Sequence, residues 1–299
     1  MRAAPKHYVE YVLLRLISAP LVLLPYRLSL VLACLLAAVA HYVFRFRVAE
    51  AQARMREVFG DTKSPRERRR IAWIAWRNFV FSCVEMLRRR SMSVEWTRRV
   101  SNAEDAVKVF DPVISTGRGL LIATPHMGSW ELAGRVFQLN DMGMFQMAAR
   151  QKNPLVDAYW HELRSMGDDD DTVYRGAGAL RRVIKYLKAG RCLAILPDLR
   201  SRTPALKVPF LGGTANVGEG VGAFARHADV PVFPMIFTRI GWTQHHFKTY
   251  PPIWPDPDLD KKADMKRITQ EVLVIIDAAI QEQPEQWFWY NKRWILDPL

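Results

Sequence analysis

The amino-acid sequence predicts an α/β fold in which helices cover a mixed sheet, preceded by an apolar, helical amino-terminal segment. Short apolar runs such as 119–123 and 192–196 alternate with longer amphipathic stretches, and turn residues bound them. With 299 residues, the chain can bury a sizeable core. We therefore expect an apolar segment over residues 1–46 and one α/β domain over residues 47–299.

The amino-terminal segment is apolar over a length close to that of a membrane span. Residues 28–44 are apolar except for Ser29 and His41, and Arg45 and Arg47 follow this run. The run is near the lower limit for crossing a hydrocarbon core of about 30 Å. A cleaved signal peptide and a buried core helix are the alternatives. The pattern favours a retained membrane anchor that spans once or lies in the interface, with the basic residues on the cytoplasmic side.

Capping residues and periodicity define the remaining elements. Ser64-Pro65-Arg66-Glu67 forms a capping box with proline at the first helical position, so a helix begins there. The predicted helices cover residues 47–60, 65–90, 103–116, 129 onward, 154–166, 179–188, 216–227 and 258–283. The predicted strands cover residues 119–123, 144–149, 192–196, 230–240 with a break at Pro234, and 245–250.

The charge balance favours an acidic partner. Lys and Arg number 43 against 30 Asp and Glu, which gives a net charge of +13. Anionic lipid, nucleic acid or an acidic protein would each suit this charge. Nucleic acid is disfavoured because the basic residues are dispersed and no helix-turn-helix or zinc pattern is present. The 3 cysteines have no metal-binding spacing, so we expect no metal site and a reducing compartment.

A histidine follows the first predicted strand, and a glutamate follows it in the first turn of the next helix. In this position His126 could take a proton from an attacking hydroxyl, while Glu131 fixed its tautomer and steadied the imidazolium. Such a pair alone is more often structural than catalytic. Ser129 is expected to cap the helix rather than act as a nucleophile.

Polar residues also follow two other predicted strands. Arg150 follows strand 144–149, and Asp198 and Arg200 follow strand 192–196. The carboxyl ends of strands in an open α/β sheet meet at one edge, so these residues and His126 should share a crevice. We expect Arg150 and Arg200 to bind substrate phosphates and Asp198 to hold Arg200 or the acceptor headgroup. A structural ion pair is the alternative for Asp198.

The motif around the histidine resembles a known signature. Pro-His-Met-Gly-Ser-Trp-Glu at 125–131 is similar to the H-x-x-x-x-E signature of the late lipid A acyltransferases, the lauroyl/myristoyl type within the lysophospholipid acyltransferase superfamily. The broader superfamily usually has aspartate at the position of Glu131, and Pro125 and Met127 also differ from the usual motif residues. Further blocks follow in the order of that family: Arg-Gln-Lys-Asn-Pro-Leu at 150–155, a strand ending in Pro-Asp at 190–200, Lys-Val-Pro-Phe-Leu-Gly-Gly at 207–213, and Gln-Trp-Phe-Trp at 286–289.

The resemblance implies an acyltransferase with a catalytic domain over 47–299. Its substrates would be an acyl thioester, on acyl carrier protein or coenzyme A, and a hydroxyl of a membrane lipid, foremost a lipid A precursor. No cofactor beyond the thioester co-substrate and no metal are implied, and the catalytic domain would face the cytoplasm at the inner membrane. One alternative is an acyltransferase whose acceptor is a lysophospholipid or another glycolipid. The other is a non-catalytic, basic protein that binds membranes. Trp287, Trp289 and Arg293 are expected only to pack the carboxyl terminus.

Overall fold

The structure confirms the predicted α/β class. The computed structural model describes residues 4–165 and 172–297, and helices cover a mostly parallel sheet. The helices are α1 (Pro5–Leu23), α2 (Tyr26–Ala38), α3 (Val48–Phe59), α4 (Pro65–Leu87), α5 (Val94–Val100), α6 (Ala103–Lys108), α7 (Asp111–Ile114), α8 (Trp130–Leu139), α9 (Pro154–Arg164), α10 (Ala179–Lys188), α11 (Gly220–Ala228) and α12 (Lys261–Glu282). The strands are β1 (Leu120–Ala123), β2 (Met144–Ala148), β3 (Thr172–Tyr174), β4 (Cys192–Ile195), β5 (Leu206–Phe210), β6 (Gly213–Val217), β7 (Val232–Ile240) and β8 (Gln244–Thr249).

The strand order of the main sheet places the predicted site residues at one edge. Within the described residues the order is β3-β2-β4-β1-β7-β8, and only the β7–β8 pair is antiparallel. The carboxyl ends of β1, β2 and β4 therefore lie along the same edge. The Thr124 amide donates to the Ile195 carbonyl at 3.0 Å, so the pairing of β1 with β4 continues beyond the strand itself.

Strand β1, in the middle of the sheet, is buried on both faces. Leu121 and Ala123 pack in the cluster that contains residues of α10, α11 and α12, whereas Leu120 and Ile122 pack in the cluster that contains residues of α6 and α8. Alternate side chains of a strand point to opposite faces, so a strand covered on both sides must be apolar at every position. This explains the uninterrupted apolar run from which β1 was predicted.

Several predicted boundaries differ from the structure, and the helix expected over residues 103–116 is divided into α6 and α7. Residues 216–227 were expected to be one helix, but Asn216 lies in β6, and its side chain is bonded to the amide of Ala205 and the carbonyl of Thr203. These bonds hold Asn216 in the β5–β6 hairpin, and the helix begins only at Gly220. The expected break at Pro234 is absent from β7. Pro234 lies opposite Ala123, the last residue of β1. Proline has no backbone N–H to donate, but at the end of the β1–β7 pairing this costs few of the hydrogen bonds between the two strands.

The first two helices, here called the N-terminal hairpin (residues 5–43), pack against α4 and α9. Leu21, Leu30 and Ala33 share a buried cluster with residues of those helices. The Arg88 guanidinium donates to the carbonyls of Leu21, Val22 and Leu24 at 3.0, 2.7 and 2.7 Å, and the Trp76 indole donates to the Ala37 carbonyl at 3.1 Å. The hairpin is thus fixed to the α/β body, and the boundary between 46 and 47 stays a prediction.

The other face of the N-terminal hairpin exposes large apolar side chains. They include Tyr8, Val9, Val12, Leu13, Leu16, Ile17, Leu23, Leu28, Val31, Leu35, Tyr42 and Val43. One stretch of the described chain, Tyr26–Val43, is long and apolar enough to cross a membrane, judged by length and composition alone, and 28% of it is buried in the protein. So many large apolar side chains exposed on one pair of helices indicate a surface of interaction rather than ordinary water-facing surface.

Candidate active site

The structure brings His126 and Asp198 into direct contact at the carboxyl ends of β1 and β4. Asp198 Oδ1 lies 2.7 Å from His126 Nδ1, and Asp198 Oδ2 accepts the backbone N–H of His126 at 2.7 Å. The Asp198 side chain is fully buried, whereas the His126 side chain is 17% exposed. One carboxylate therefore holds both the ring and the main chain of the histidine, and the imidazole still reaches solvent.

The surroundings of Asp198 favour its ionised form. Burial alone would raise the pKa of this carboxyl. The charge of His126 and the hydrogen bonds from His126 and Trp287 outweigh that effect, so the pKa lies below its ordinary value. An ionised Asp198 accepts a hydrogen bond from Nδ1–H of His126. This contact selects the tautomer in which Nε2 carries the lone pair, which is the arrangement that a general base needs.

The carboxyl-terminal segment holds the turn that carries His126. The Phe288 amide donates to the His126 carbonyl, and the Gly128 amide donates to the Gln286 carbonyl, both at 3.0 Å. The Trp287 indole donates to Asp198 Oδ2 at 2.7 Å. The prediction that Trp287 only packs the carboxyl terminus is therefore wrong. Its place in the Gln-Trp block was the only available signal.

Gly128 is the position in this turn that requires glycine. Its φ is +55°, and a Cβ added there would lie 2.5 Å from the carbonyl oxygen of Phe237. Both the left-handed conformation and the close approach to β7 exclude a side chain. The Ser82 hydroxyl also donates to the Gly128 carbonyl at 2.8 Å, which ties the turn to α4.

Glu131 does not hold His126, which corrects the expectation that it would orient the base. Its Oε1 accepts a hydrogen bond from the Arg164 guanidinium at 2.8 Å, and its Oε2 lies 3.6 Å from Arg89. No hydrogen bond joins Glu131 to His126 within the described part of the chain. The physical reason is local competition, because the two guanidinium groups from outside α8 lie closer to this carboxylate than the imidazole does. Burial lowers the pKa of Arg89 to about 10, and the charge of Glu131 opposes that shift.

The two other predicted substrate-binding residues lie at the expected edge but apart from the histidine–aspartate contact. The Arg150 guanidinium lies 4.1 Å above the Tyr174 ring and 3.6 Å from the Asp157 carboxylate, and its side chain is largely exposed. Arg200 forms a backbone bridge with Val217 and donates from Nε to the carbonyl of Asp297 at 3.0 Å. Their role in binding substrate stays a prediction.

Ser129 occupies the N-cap position of α8, but its side chain does not cap the helix. Its hydroxyl donates to Glu85 of α4 instead. The amides of His126, Met127 and Gly128 donate to Asp198, Pro125 and Gln286 respectively, so these amides already have acceptors. The amides of the first turn of α8 are therefore the candidate donors to an anion beside His126, because a helix amino terminus carries unsatisfied N–H groups and a partial positive charge.

Aromatic rings connect the histidine to the N-terminal hairpin. His126 and Trp130 meet edge to face at 5.2 Å between ring centroids, and Phe79 follows at 6.2 Å from Trp130. Phe79 contacts Phe288 at 4.2 Å and Trp76 at 5.7 Å, and Trp76 is bonded to α2 through its indole. Trp130, Phe79 and Phe288 are only partly buried. An apolar surface thus extends from the base towards the exposed hairpin.

The fold and the site together define a class of protein. A histidine–aspartate pair at the carboxyl edge of a parallel sheet, beside an apolar surface, suits activation of a hydroxyl in lipid chemistry. Comparison with known families identifies the particular group: the model of the bacterial lipid A biosynthesis acyltransferase family matches residues 3–295. The chain belongs to this family, as the sequence motifs indicated.

Curated relatives share a part of the chain. The phosphatidylinositol mannoside acyltransferase of Mycolicibacterium smegmatis is 24% identical over 62% of this chain and 59% of its own length. The phosphatidylinositol mannoside acyltransferase of Mycobacterium tuberculosis is 23% identical over 62% of this chain and 58% of its own length. These alignments cover less than two thirds of the relatives, which leaves a considerable part of each without a counterpart in the comparison.

Proposed function

We propose that this protein transfers a fatty acyl chain from a thioester of acyl carrier protein or coenzyme A to a hydroxyl of a membrane glycolipid, foremost a lipid A precursor. The observation that carries the proposal is the contact of His126 with the buried carboxylate of Asp198, in a chain of the lipid A acyltransferase family. The pair supplies a general base, and the family supplies the reaction class.

In this mechanism the acceptor hydroxyl attacks the thioester directly. As its oxygen approaches the carbonyl carbon, Nε2 of His126 takes the hydroxyl proton, and Asp198 stabilises the resulting imidazolium. The tetrahedral intermediate then collapses, the carbon–sulfur bond breaks, and the imidazolium returns the proton to the leaving thiolate. First-turn amides of α8 would stabilise the oxyanion. No side-chain nucleophile is required.

The arginines around Glu131 offer a site for anionic parts of the substrates. Arg164 is 30% exposed, and the Glu131 carboxylate holds its guanidinium at 2.8 Å. Guanidinium groups bind phosphate with two parallel hydrogen bonds, so Arg164, Arg150 and Arg200 are the candidates for a lipid phosphate or a pantetheine phosphate. Glu131 would act in catalysis by orienting Arg164.

The N-terminal hairpin would place the site at a bilayer surface. Leu30, Ala33 and Ala37 of α2 are buried against the protein, so this helix cannot enter the bilayer core alone without leaving its contacts with α4. We therefore favour insertion of the exposed apolar face into the interface over a single span. The net charge of +13 suits an anionic leaflet, and Arg45 and Arg47 suit a cytoplasmic orientation at the inner membrane.

A phosphatidylinositol mannoside is the second candidate acceptor, because curated relatives carry that substrate in their names. Both candidates are glycolipids that offer sugar hydroxyls. Assays with each acceptor distinguish them.

The test is acyl transfer by the purified full chain with labelled acyl donors and separate acceptors. Lipid A precursor, phosphatidylinositol mannoside and lysophospholipid would each be presented in vesicles with either acyl carrier protein or coenzyme A thioesters. We expect transfer to a glycolipid hydroxyl, with a His126→Ala variant slower by about 10⁴-fold, the upper end of the range for general base catalysis. Vesicle binding without turnover by the wild type would contradict the proposal, as would full activity of the variant.

A further inference from the structure

A second buried carboxylate lies behind the His126 turn, outside the proton-transfer pair. Glu85 is near the end of α4, and its side chain is fully buried. Four side chains from separate parts of the chain surround it: Tyr26 and His245 face Oε1 at 2.6 and 3.3 Å, and Ser129 and Arg239 face Oε2, the latter at 2.7 Å. Both carboxylate oxygens are therefore occupied.

Arg239 compensates the charge of this carboxylate. Burial alone would raise the pKa of Glu85, but the charge and hydrogen bond of Arg239, with His245 close by, hold it well below its usual range. Gln286 in turn fixes Arg239, since its side chain bonds both the amide and the carbonyl of Arg239 at 2.9 and 3.0 Å. Glu85 is thus an ionised acceptor in a rigid setting.

The Ser129 contact connects this carboxylate to the active site. Ser129 follows His126 by three residues, and its carbonyl accepts the Ala133 amide at the start of α8. A hydroxyl that would ordinarily cap the helix is instead directed to Glu85, which leaves the helix amino terminus without a side-chain cap. The position of the first turn of α8 relative to His126 therefore depends on Glu85.

The Tyr26 contact connects the same carboxylate to the N-terminal hairpin. Tyr26 is the first residue of α2, and its hydroxyl donates to Oε1 at 2.6 Å. An apolar cluster of equal volume would often stabilise a protein as much as a buried ion pair does. What the polar cluster around Glu85 adds is a defined geometry, because hydrogen bonds are directional and fix the relative positions of the groups that they join.

We propose that Glu85 is a positioning residue for acyl transfer, which anchors the start of α8 through Ser129 and joins it to the N-terminal hairpin through Tyr26. This inference rests on the proposed function, since the first turn of α8 is the proposed oxyanion site. Removal of either hydroxyl would let that turn shift relative to His126 while Asp198 still holds the imidazole. The loss would appear in kcat rather than in KM.

The decisive variants keep the buried ion pair intact. Ser129→Ala removes the hydroxyl bonded to Oε2 of Glu85, and Tyr26→Phe removes the hydroxyl bonded to Oε1, while Arg239 stays in place. We expect kcat to fall by about 10- to 100-fold for Ser129→Ala, because small displacements of positioned groups cost rates of that order. The fall for Tyr26→Phe should be smaller, and the KM values for donor and acceptor should stay within about twofold in both. The double variant should lose less than the product of the single effects, because both act through Glu85.

Matched controls separate positioning from stability. Ser115→Ala and Tyr250→Phe remove hydroxyls away from the turn, since Ser115 precedes β1 at the opposite edge of the sheet and Tyr250 follows β8. Glu85→Gln and Asp264→Asn each neutralise a fully buried carboxylate in an arginine pair. Both should lower the melting temperature, but at a temperature where circular dichroism shows both folded, only Glu85→Gln should lower kcat.

Two results would overturn the inference while leaving the proposed function intact: a wild-type kcat for Ser129→Ala, or equal kcat for Glu85→Gln and Asp264→Asn. A wild-type protein that transfers no acyl chain would overturn the proposed function instead. The two failures are therefore distinct.

Discussion

The N-terminal hairpin and the His126 turn have opposite relations to water. The hairpin exposes Leu16 and Leu35, which are 66% and 61% exposed, although both are apolar. Around the turn, the charged side chains of Asp198 and Glu85 are fully buried. Each arrangement is costly in a soluble protein unless something compensates it.

The difference shows how each region is compensated. The buried charges have partners inside the protein, namely His126 and Trp287 for Asp198, and Arg239 for Glu85. The exposed apolar side chains have no such partner within the described residues, and a lipid interface would supply one. The buried polar groups fix the geometry of the site, and we propose that the exposed apolar side chains place it at a membrane surface.

The comparison predicts that Asp198, which holds the base, and Glu131, which does not, differ in their importance for catalysis. Asp198→Asn should lower kcat by about 10³-fold, because it removes the charge that stabilises the imidazolium. Glu131→Gln should cost about tenfold, because it loosens Arg164 and Arg89 but leaves the His126–Asp198 contact in place. Steady-state kinetics on the two variants would measure this. Equal losses would show that Glu131 shares the role that we assign to Asp198.

Two exposed leucines of the N-terminal hairpin should contribute to membrane binding. Replacement of both Leu16 and Leu35 by serine should weaken binding to phosphatidylglycerol-containing vesicles by about 100-fold or more, because each such side chain contributes roughly 1.5–3 kcal/mol when buried and about 1.4 kcal/mol corresponds to a tenfold change in affinity. Vesicle co-sedimentation is the measurement, and Val274→Ser, an exposed position on α12, is the control. Unchanged binding of the double variant would disprove the interfacial role of this face.

The smallest predicted effect concerns Trp287 and depends on pH. Trp287→Phe should lower the free energy of unfolding by about 1.5 kcal/mol at pH 7, since a hydrogen bond to a charged group is lost. The pKa of Asp198 is depressed in the folded protein, so this difference should be full above the unfolded value of about 3.9 and should vanish as the pH falls through the folded pKa. Urea unfolding between pH 3 and pH 7 would show it. Trp254→Phe, at an exposed position, is the control, and its effect on the free energy of unfolding should not change with pH. If the effect of Trp287→Phe were equally independent of pH, packing alone would account for the loss.

Much of the fold could be predicted because local signals and tertiary structure agree. The capping box at Ser64 and Glu67 forms as expected, with bonds of 3.3 and 2.7 Å. Asn153 likewise accepts the amides of Leu155 and Val156 at the start of α9. The apolar run of β1 indicated a strand buried on both faces. The β5–β6 hairpin was missed because side-chain bonds of Asn216, which no local pattern reveals, decide its conformation.

The site was only partly predictable. Strand ends indicated His126 and Asp198, and their meeting follows from the pairing of β1 with β4. The choice of Asp198 over Glu131 as partner of the histidine could not be read from spacing, because Glu131 is closer in sequence. Glu85 gave no signal at all, since a glutamate inside an amphipathic helix is usually solvated.

The sequence by itself determined the class of fold, the order of the motifs and their membership of an acyltransferase family, because these depend on short-range periodicity and residue type. The tertiary structure decided which carboxylate holds the base, which indole supports it, and which face of the N-terminal hairpin stays exposed. Those outcomes depend on contacts between residues far apart in the chain. Such contacts are set by strand order and helix packing, and local sequence does not encode them.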